Sequence, residues 1–286
     1  MSDYKNLIGA HVSIAGGIQN APGRAKEEGC ETFQCFTRSP QGGPAPVLTP
    51  TFISQFKDAM KENGIKSFVI HAPYYINIAS LDNRIRHGSI RVIRDELERG
   101  STLGASYVMF HPGSHSGQTR EEGIEKAKSG LEKILDGYTG TTKLLIEISA
   151  GAGSVLGDTF EEVAEMMASV KKSSGFGGIC FDTCHAFASG YDFRTPDGVK
   201  KVLAQFDKTI GLEWLKLTHV NDSKMDLGGK RDRHEHVDKG YIGYAGLKEI
   251  LTSKPFQNID WILETETEGR LEDIKKLNKI RDNLNS

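Results

Sequence analysis

Short apolar runs that stop abruptly on an ionisable residue recur along this chain. Ser67-Phe68-Val69-Ile70 stops at His71, Tyr107-Val108-Met109-Phe110 at His111, and Leu144-Leu145-Ile146 at Glu147. Ile179-Cys180-Phe181 stops at Asp182, Leu215-Lys216-Leu217-Thr218 at His219, and Trp261-Ile262-Leu263 at Glu264. Runs this short, bounded by turn-forming residues, are the pattern of buried strands. With two earlier runs the pattern predicts eight strands, at residues 7–12, 32–36, 67–70, 107–110, 144–148, 178–181, 215–220 and 261–263. Helical periodicity occupies segments between them, at 51–63, 84–103, 120–135, 160–172 and 195–210.

Strand–helix alternation repeated eight times predicts the α/β class and a closed, single-domain (β/α)8 TIM barrel over residues 1–286. Such a barrel takes about 250 residues, so the length fits, although length alone would also allow two domains. A doubly wound open sheet is the alternative, but it gathers ligands at one switch point rather than around a ring. No linker, internal repeat or low-complexity tract interrupts the pattern. The segments at 39–50, 112–119, 150–158, 186–196 and 221–243 are long and glycine-rich and follow predicted strands. In a barrel, the loops after the strands form the active-site face.

Composition adds little to this. A chain with 37% hydrophobic and 26% charged residues is soluble and globular. It has no apolar run near the ~20 residues of a membrane span and no signal-peptide pattern at its N-terminus. The expectation is a cytoplasmic monomer without a membrane partner. The four cysteines Cys30, Cys35, Cys180 and Cys184 make no CxxC pair and are read as reduced thiols. A net charge of −2 argues against a nucleic-acid binder. Divalent cations change that locally, since three of them would outweigh four carboxylates and make the pocket attractive to anions.

The run-ending residues themselves point to such cations. An unpaired buried charge is costly. A lone histidine at the end of an apolar run is ordinarily a satisfied core residue, but nine compatible groups reverse that expectation. They are His71, His111, Glu147, Asp182, His185, His219, Asp232, His234 and Glu264. A shared multinuclear metal site at the C-terminal ends of the strands accounts for all of them. Asp232-Arg233-His234 sets two ligands on one side of an extended segment. Asp182-Thr183-Cys184-His185 lets one ligand end a strand and the next reach from the following turn. Neither spacing is a structural zinc knuckle, which needs paired cysteines. Imidazoles mixed with carboxylates favour Zn²⁺, with Mn²⁺ or Fe²⁺ as alternatives, over an all-oxygen Mg²⁺ site. Clustered ions suit phosphate or carbonyl chemistry. An amidohydrolase would need a His-x-His pair on the first strand, where Gly9-Ala10-His11-Val12-Ser13 has one histidine.

The other polar and aromatic candidates divide. His11 and His115 fall on the active-site face, as supporting or substrate-contacting groups, while His236 is read either as pointing the same way or as an exposed loop residue. His87 lies among Arg84, Arg86 and Arg91 on a solvated helix face, and Cys184 is read as packing. Tyr74 and Tyr75 follow His71 closely, where an aromatic could stack on a base or fill a gap.

Three stretches carry a family resemblance: His71-Ala72-Pro73-Tyr74-Tyr75-Ile76-Asn77-Ile78-Ala79, then Ile179-Cys180-Phe181-Asp182-Thr183-Cys184-His185, then His219-Val220-Asn221-Asp222-Ser223-Lys224 with Asp232-Arg233-His234. Gly9 to Ser13 and Phe110-His111-Pro112-Gly113-Ser114-His115 agree as well. Across essentially its whole length the chain resembles the endonuclease IV family of apurinic/apyrimidinic endonucleases. The resemblance implies a (β/α)8 barrel holding three zinc ions. By it, His71 and His111 hold the first ion and Glu147 bridges to the second; Asp182, His219 and Glu264 complete the second; His185, Asp232 and His234 hold the third. It implies cleavage of the phosphodiester 5′ to abasic sites in double-stranded DNA, leaving a 3′-hydroxyl and a 5′-deoxyribose phosphate, and trimming of blocked 3′ ends. Glu147 and Glu264 take the catalytic roles in this reading, and Tyr74, Gln41, His11 and His115 are the candidate DNA contacts. The family often carries an arginine and a nearby tryptophan after the second strand; here that segment reads Arg38-Ser39-Pro40-Gln41-Gly42-Gly43. Val237-Asp238-Lys239-Gly240 and Glu266 are further local departures. Two other functions compete: a sugar isomerase or epimerase on the same barrel, which needs fewer metals, and a non-catalytic module that binds damaged DNA.

Overall fold

Side-chain alternation along parallel strands sorts this molecule into an inner and an outer core. The computed structural model describes residues 6–284. Its strands are β1 (Ile8–His11), β2 (Thr32–Cys35), β3 (Ser67–His71), β4 (Tyr107–Phe110), β5 (Lys143–Glu147), β6 (Phe176–Asp182) and β7 (Leu215–His219). A short hairpin of β8 (Asp222–Ser223) and β9 (His234–Glu235) precedes β10 (Asp260–Leu263). β1 to β7 and β10 pair in parallel, and β1 closes the barrel between β2 and β10. The predicted (β/α)8 TIM barrel is therefore the observed architecture.

Outward residues such as Phe68, Ile70, Phe110, Ile146, Phe181 and Trp261 join a large core shared with the surrounding helices. Inward residues Val69, Met109, Leu145, Cys180, Leu217 and Ile262 form a separate apolar layer inside the barrel. Two positions further along the same six strands stand His71, His111, Glu147, Asp182, His219 and Glu264. Residues i and i+2 of a strand face the same side. The run that builds the inner layer therefore also turns its terminal ionisable group toward the barrel axis. The close approach of β1 to β2 requires Gly9, where a Cβ would lie 2.1 Å from the Thr32 carbonyl oxygen.

The helices are α1 (Ala21–Glu27), α2 (Pro50–Glu62), α3 (Asn83–Leu103), α4 (Arg120–Leu135), α5 (Phe160–Ala168), α6 (Thr183–Ser189), α7 (Pro196–Thr209), α8 (Gly243–Leu251) and α9 (Arg270–Asp282). Side chains of Thr49, Asp82, Thr119, Thr159 and Thr195 accept backbone N–H groups at the starts of α2, α3, α4, α5 and α7, satisfying donors a helix leaves unpaired. The segment at 186–196, expected as a loop, begins inside α6. Asp182 caps that helix by accepting the His185 N–H at 2.8 Å, and Ala186, Phe187 and Ala188 are buried. α9 escaped the periodicity because several of its inward positions are charged. Arg270 pairs with Glu28, Asp273 with His236, and Arg281 with Glu31. The long segment after β7 is organised by Asp222, whose carboxylate accepts the N–H groups of Ser223, Gly240, Ile242 and Gly243 at 2.8–3.1 Å. All four cysteines are buried free thiols. No helix among the described residues is long and apolar enough to cross a membrane.

Asp260 opens β10 at the barrel end opposite the ionisable cluster, and its Oδ1 accepts the Leu7 N–H at 2.8 Å. Burial, reinforced by Glu31, pushes its carboxyl up to about 6, above the ~3.9 of an unfolded aspartate. The folded state thus binds this proton more tightly than the unfolded state. Its contribution is most favourable below about pH 4 and is lost as pH rises through about 6. Asp260→Asn keeps an acceptor for Leu7 and removes the charge. Denaturant melts should show a gain on the order of 1–3 kcal/mol at pH 8 and a smaller one at pH 5. A variant no more stable than the parent at pH 8 would show that the buried charge carries no penalty.

Candidate active site

Six strand ends deliver six of the nine predicted ligands to one mouth of the barrel. His185 comes from the first turn of α6, and Asp232 and His234 come from the arm of the hairpin that ends in β9. Their ligand atoms fall into three compact groups: His71, His111 and Glu147; Glu147, Asp182, His219 and Glu264; and His185, Asp232 and His234. Within each group the ligand atoms all lie within 4.8 Å of one another.

Glu147 is fully buried and stands between the first two groups. Its Oε2 lies 3.2 Å from His111 Nε2 and 3.4 Å from His71 Nε2, while its Oε1 lies 2.9 Å from His219 Nδ1. In the third group Asp232 Oδ1 is 3.2 Å from the Nε2 atoms of both His185 and His234. Burial alone would raise the Glu147 carboxyl, but the imidazoles of His219 and His111 outweigh it and hold it well below the usual carboxylate range. Burial would lower His185; Asp182 and Asp232 overcome that and raise it well above the ordinary histidine value.

The outer nitrogens show how the imidazoles are aimed. His71 Nδ1–H donates to the Ala72 carbonyl at 2.6 Å, and His185 Nδ1–H donates to the Ile148 carbonyl at 2.9 Å. Each leaves Nε2 facing a carboxylate. A ligand histidine is ordinarily held in this way by a hydrogen bond from its other nitrogen. Among the described residues, His71 Nε2 and Glu147 Oε2 are buried without a hydrogen-bond partner. A cation shared between them would satisfy both, and the mixed nitrogen and oxygen donors fit a divalent transition metal.

An open cleft of about 320 Å³ lies over the cluster, lined by Tyr74, His111, His185, Asp232, His234 and Glu264 together with Arg233 and Glu266. Tyr74 is 61% exposed, with its ring 5.4 Å from that of Phe36 and 5.1 Å from that of His71, centre to centre. Gln41 is exposed in the loop after β2 and does not line this cleft. His11 packs on Phe36 at 4.5 Å, meets Gln34 Nε2 at 2.9 Å and lies 3.8 Å from Glu264 Oε1, at the edge of the cluster. His115 Nδ1–H is committed to the Gln118 carbonyl within its own loop. His236 turns away from the groups to meet Asp273 at 2.6 Å, and His87 is exposed on α3. Cys184 is buried with its Sγ 3.6 Å from the Arg233 carbonyl, and it forms a further group with Asp182 and His234 whose ligand atoms also lie within 4.8 Å of one another. Arg38 is buried against Asp95 and Glu96, which removes it from the cleft.

Two site residues were missed. Asn221 donates from Nδ2 to Asp182 Oδ2 at 2.7 Å and accepts the Glu264 N–H at 2.8 Å, fixing two carboxylates. Gln34, on the inward face of β2, contacts His11, His219 and Glu264. The only hint in the sequence was an amide inside the short strand-forming run Thr32-Phe33-Gln34-Cys35, and all four of these residues are buried.

A family model described as xylose isomerase-like TIM barrel matches residues 22–285. The chain is 39% identical over 277 residues to the probable endonuclease 4 of Methanoculleus marisnigri, covering 96% of this chain and 98% of that protein. The crystal structure of endonuclease IV from Thermus thermophilus aligns with a TM-score of 0.83 at 34% identity, over 98% of this chain and 99% of that one. A D-tagatose 3-epimerase-like protein aligns at 0.74 with 22% identity over 98% of each chain, which is likeness of fold alone. Relatedness over nearly the full length, on a barrel whose mouth gathers these nine groups, means that the chain belongs to the endonuclease IV family and is an apurinic/apyrimidinic endonuclease of the deoxyribonuclease IV type.

Proposed function

We propose that this DNA repair enzyme hydrolyses the phosphodiester 5′ to abasic sites in double-stranded DNA, leaving a 3′-hydroxyl and a 5′-deoxyribose phosphate, and also trims blocked 3′ ends during base excision repair. The reading includes three Zn²⁺ per chain, with Mn²⁺ as the alternative occupant. One observation carries it: two of the three ligand groups share Glu147, with one carboxylate oxygen toward each. His71 and His111 would hold the first ion with Glu147; Glu147, Asp182, His219 and Glu264 the second; His185, Asp232 and His234 the third. Bound there, the ions would supply a lowered water pKa and positive charge for the phosphoryl and leaving oxygens.

The protein's own contributions follow from the geometry. Glu147 and Glu264 supply the central negative charge, with Asn221 and Gln34 holding Glu264 from its backbone and its side chain. The third group is the most open, with the Asp232 side chain 47% exposed, so the substrate phosphate would meet it first. A sugar epimerase would leave this third group without a task. Tyr74 stands on the cleft wall, where a ring could fill the gap left by an extruded nucleotide.

Extensively dialysed protein should carry close to three transition-metal ions per chain by elemental analysis, and chelator should abolish incision of an abasic duplex. About one ion per chain would end the trinuclear reading. Glu147→Gln keeps the shape of the bridge but discharges it, and incision should fall by orders of magnitude. Activity within tenfold of the parent, about 1.4 kcal/mol of barrier, would refute the bridging role. Base–aromatic stacking contributes about 1–3 kcal/mol, comparable to the cost of extruding a nucleotide. Tyr74→Ala should therefore weaken abasic-DNA binding roughly tenfold or more with metal content intact, and Gln41→Ala should do much less. A silent Tyr74→Ala, or a more damaging Gln41→Ala, would remove the wedge role from Tyr74.

A further inference from the structure

From the inner face of β2, Gln34 contacts two members of the cluster, His219 and Glu264, and the neighbouring His11. It is fully buried, and its backbone pairs with His11 on β1 and Val69 on β3. Its Nε2 donates to Glu264 Oε1 at 2.5 Å and to His11 Nδ1 at 2.9 Å. Its Oε1 accepts from His219 Nε2 at 2.7 Å. The two ends of an amide are chemically different, so these contacts constrain one another. Flipping the amide would bring Oε1 against the Glu264 carboxylate, setting two acceptors face to face. Glu264 therefore orients the amide, and the oriented amide demands a proton on His219 Nε2.

Once Nε2 carries that proton, the other nitrogen is the one free to act as a ligand. His219 Nδ1 faces Glu147 Oε1 at 2.9 Å, Glu264 Oε2 at 3.3 Å and Asp182 Oδ2 at 3.7 Å. These three carboxylates are the other members of the central ligand group. We infer that Gln34 is a positioning residue for the central metal ion, fixing His219 as an Nδ1 donor and Glu264 as a ligand through Oε2. The side chain touches no substrate in this role and acts through the two ligands it holds. The inference rests on the trinuclear reading above.

The test uses full-length protein loaded with zinc and two variants. Gln34→Met keeps length but has no amide, while Gln34→Asn keeps the amide one methylene short of its partners. Each should release one ion of three to a zinc chelator at a concentration that the parent withstands, an affinity loss of about 10- to 100-fold at one site. In nitrogen-correlated proton spectra, the parent should show a slowly exchanging His219 Nε2–H that both variants lose. If Gln34→Met does not fold, Gln34→Asn decides the question by the same two measurements. Variants that keep three ions at parental affinity, or that lose all three together with thermal stability, would overturn the role of Gln34. A parent that binds no zinc would instead overturn the trinuclear reading itself.

Discussion

Four carboxylates and five imidazoles converge at one mouth of this barrel, and most of them are shielded from water. Charge gathered in such a place cannot be left uncompensated, because desolvating an ionised group costs several kcal/mol even after the protein relaxes. The surrounding structure answers that constraint at each level. Backbone carbonyls of Ala72 and Ile148 take the outer ring protons of His71 and His185. The Asn221 amide and the Asp182 cap tie carboxylates to the segments that carry them. The remaining unsatisfied pair, His71 Nε2 and Glu147 Oε2, points inward. Satisfied outer atoms and frustrated inner ones are the expected signature of a site organised around cations rather than around its own hydrogen bonds.

The scaffold separates stability from chemistry along each strand. An apolar layer of Val69, Met109, Leu145, Cys180, Leu217 and Ile262 fills the barrel, and the ionisable layer sits immediately above it. Packing in the lower layer sets the height and direction of the upper one, so the ligands inherit the rigidity of a closed sheet. The third group is built differently. Its members come from α6 and from the arm leading into β9, and that arm is held by the hairpin pairing of Ser223 with His234 and by the Lys224 N–H donating to the Arg233 carbonyl at 2.9 Å. It is also more exposed than the central group. A buried, strand-borne pair of groups beside an open, loop-borne one suits an enzyme that must accept a large phosphodiester at a preformed centre.

Much of this was legible along the chain because period-two alternation and strand ends are local properties. Six runs terminating on His, Asp or Glu announced both the strands and the direction of their last side chains. α6 was hidden because its glycine-rich surroundings resemble a loop, while its capping depends on Asp182, a residue with a second task. α9 was hidden because Arg270, Asp273 and Arg281 break the amphipathic pattern, and their burial makes sense only with Glu28, His236 and Glu31 in place. Gln34 and Asn221 went unread for a similar reason. A buried amide has no periodic signature, and its partners lie on strands remote in sequence.

Residue order was enough to establish the barrel class, the eight strands, the nine candidate ligands at the strand ends, and the resemblance to a DNA repair family. These follow from side-chain alternation and from motifs whose chemistry is carried by residue type. It took the folded barrel to establish which nitrogen of His71, His185 and His219 faces inward, that Glu147 turns its two oxygens toward different groups, and that Arg38, His115 and His236 are engaged elsewhere. Those outcomes depend on hydrogen bonds between side chains and backbone atoms on different elements. Such contacts exist only once the barrel has closed and β10 has come to lie beside β1.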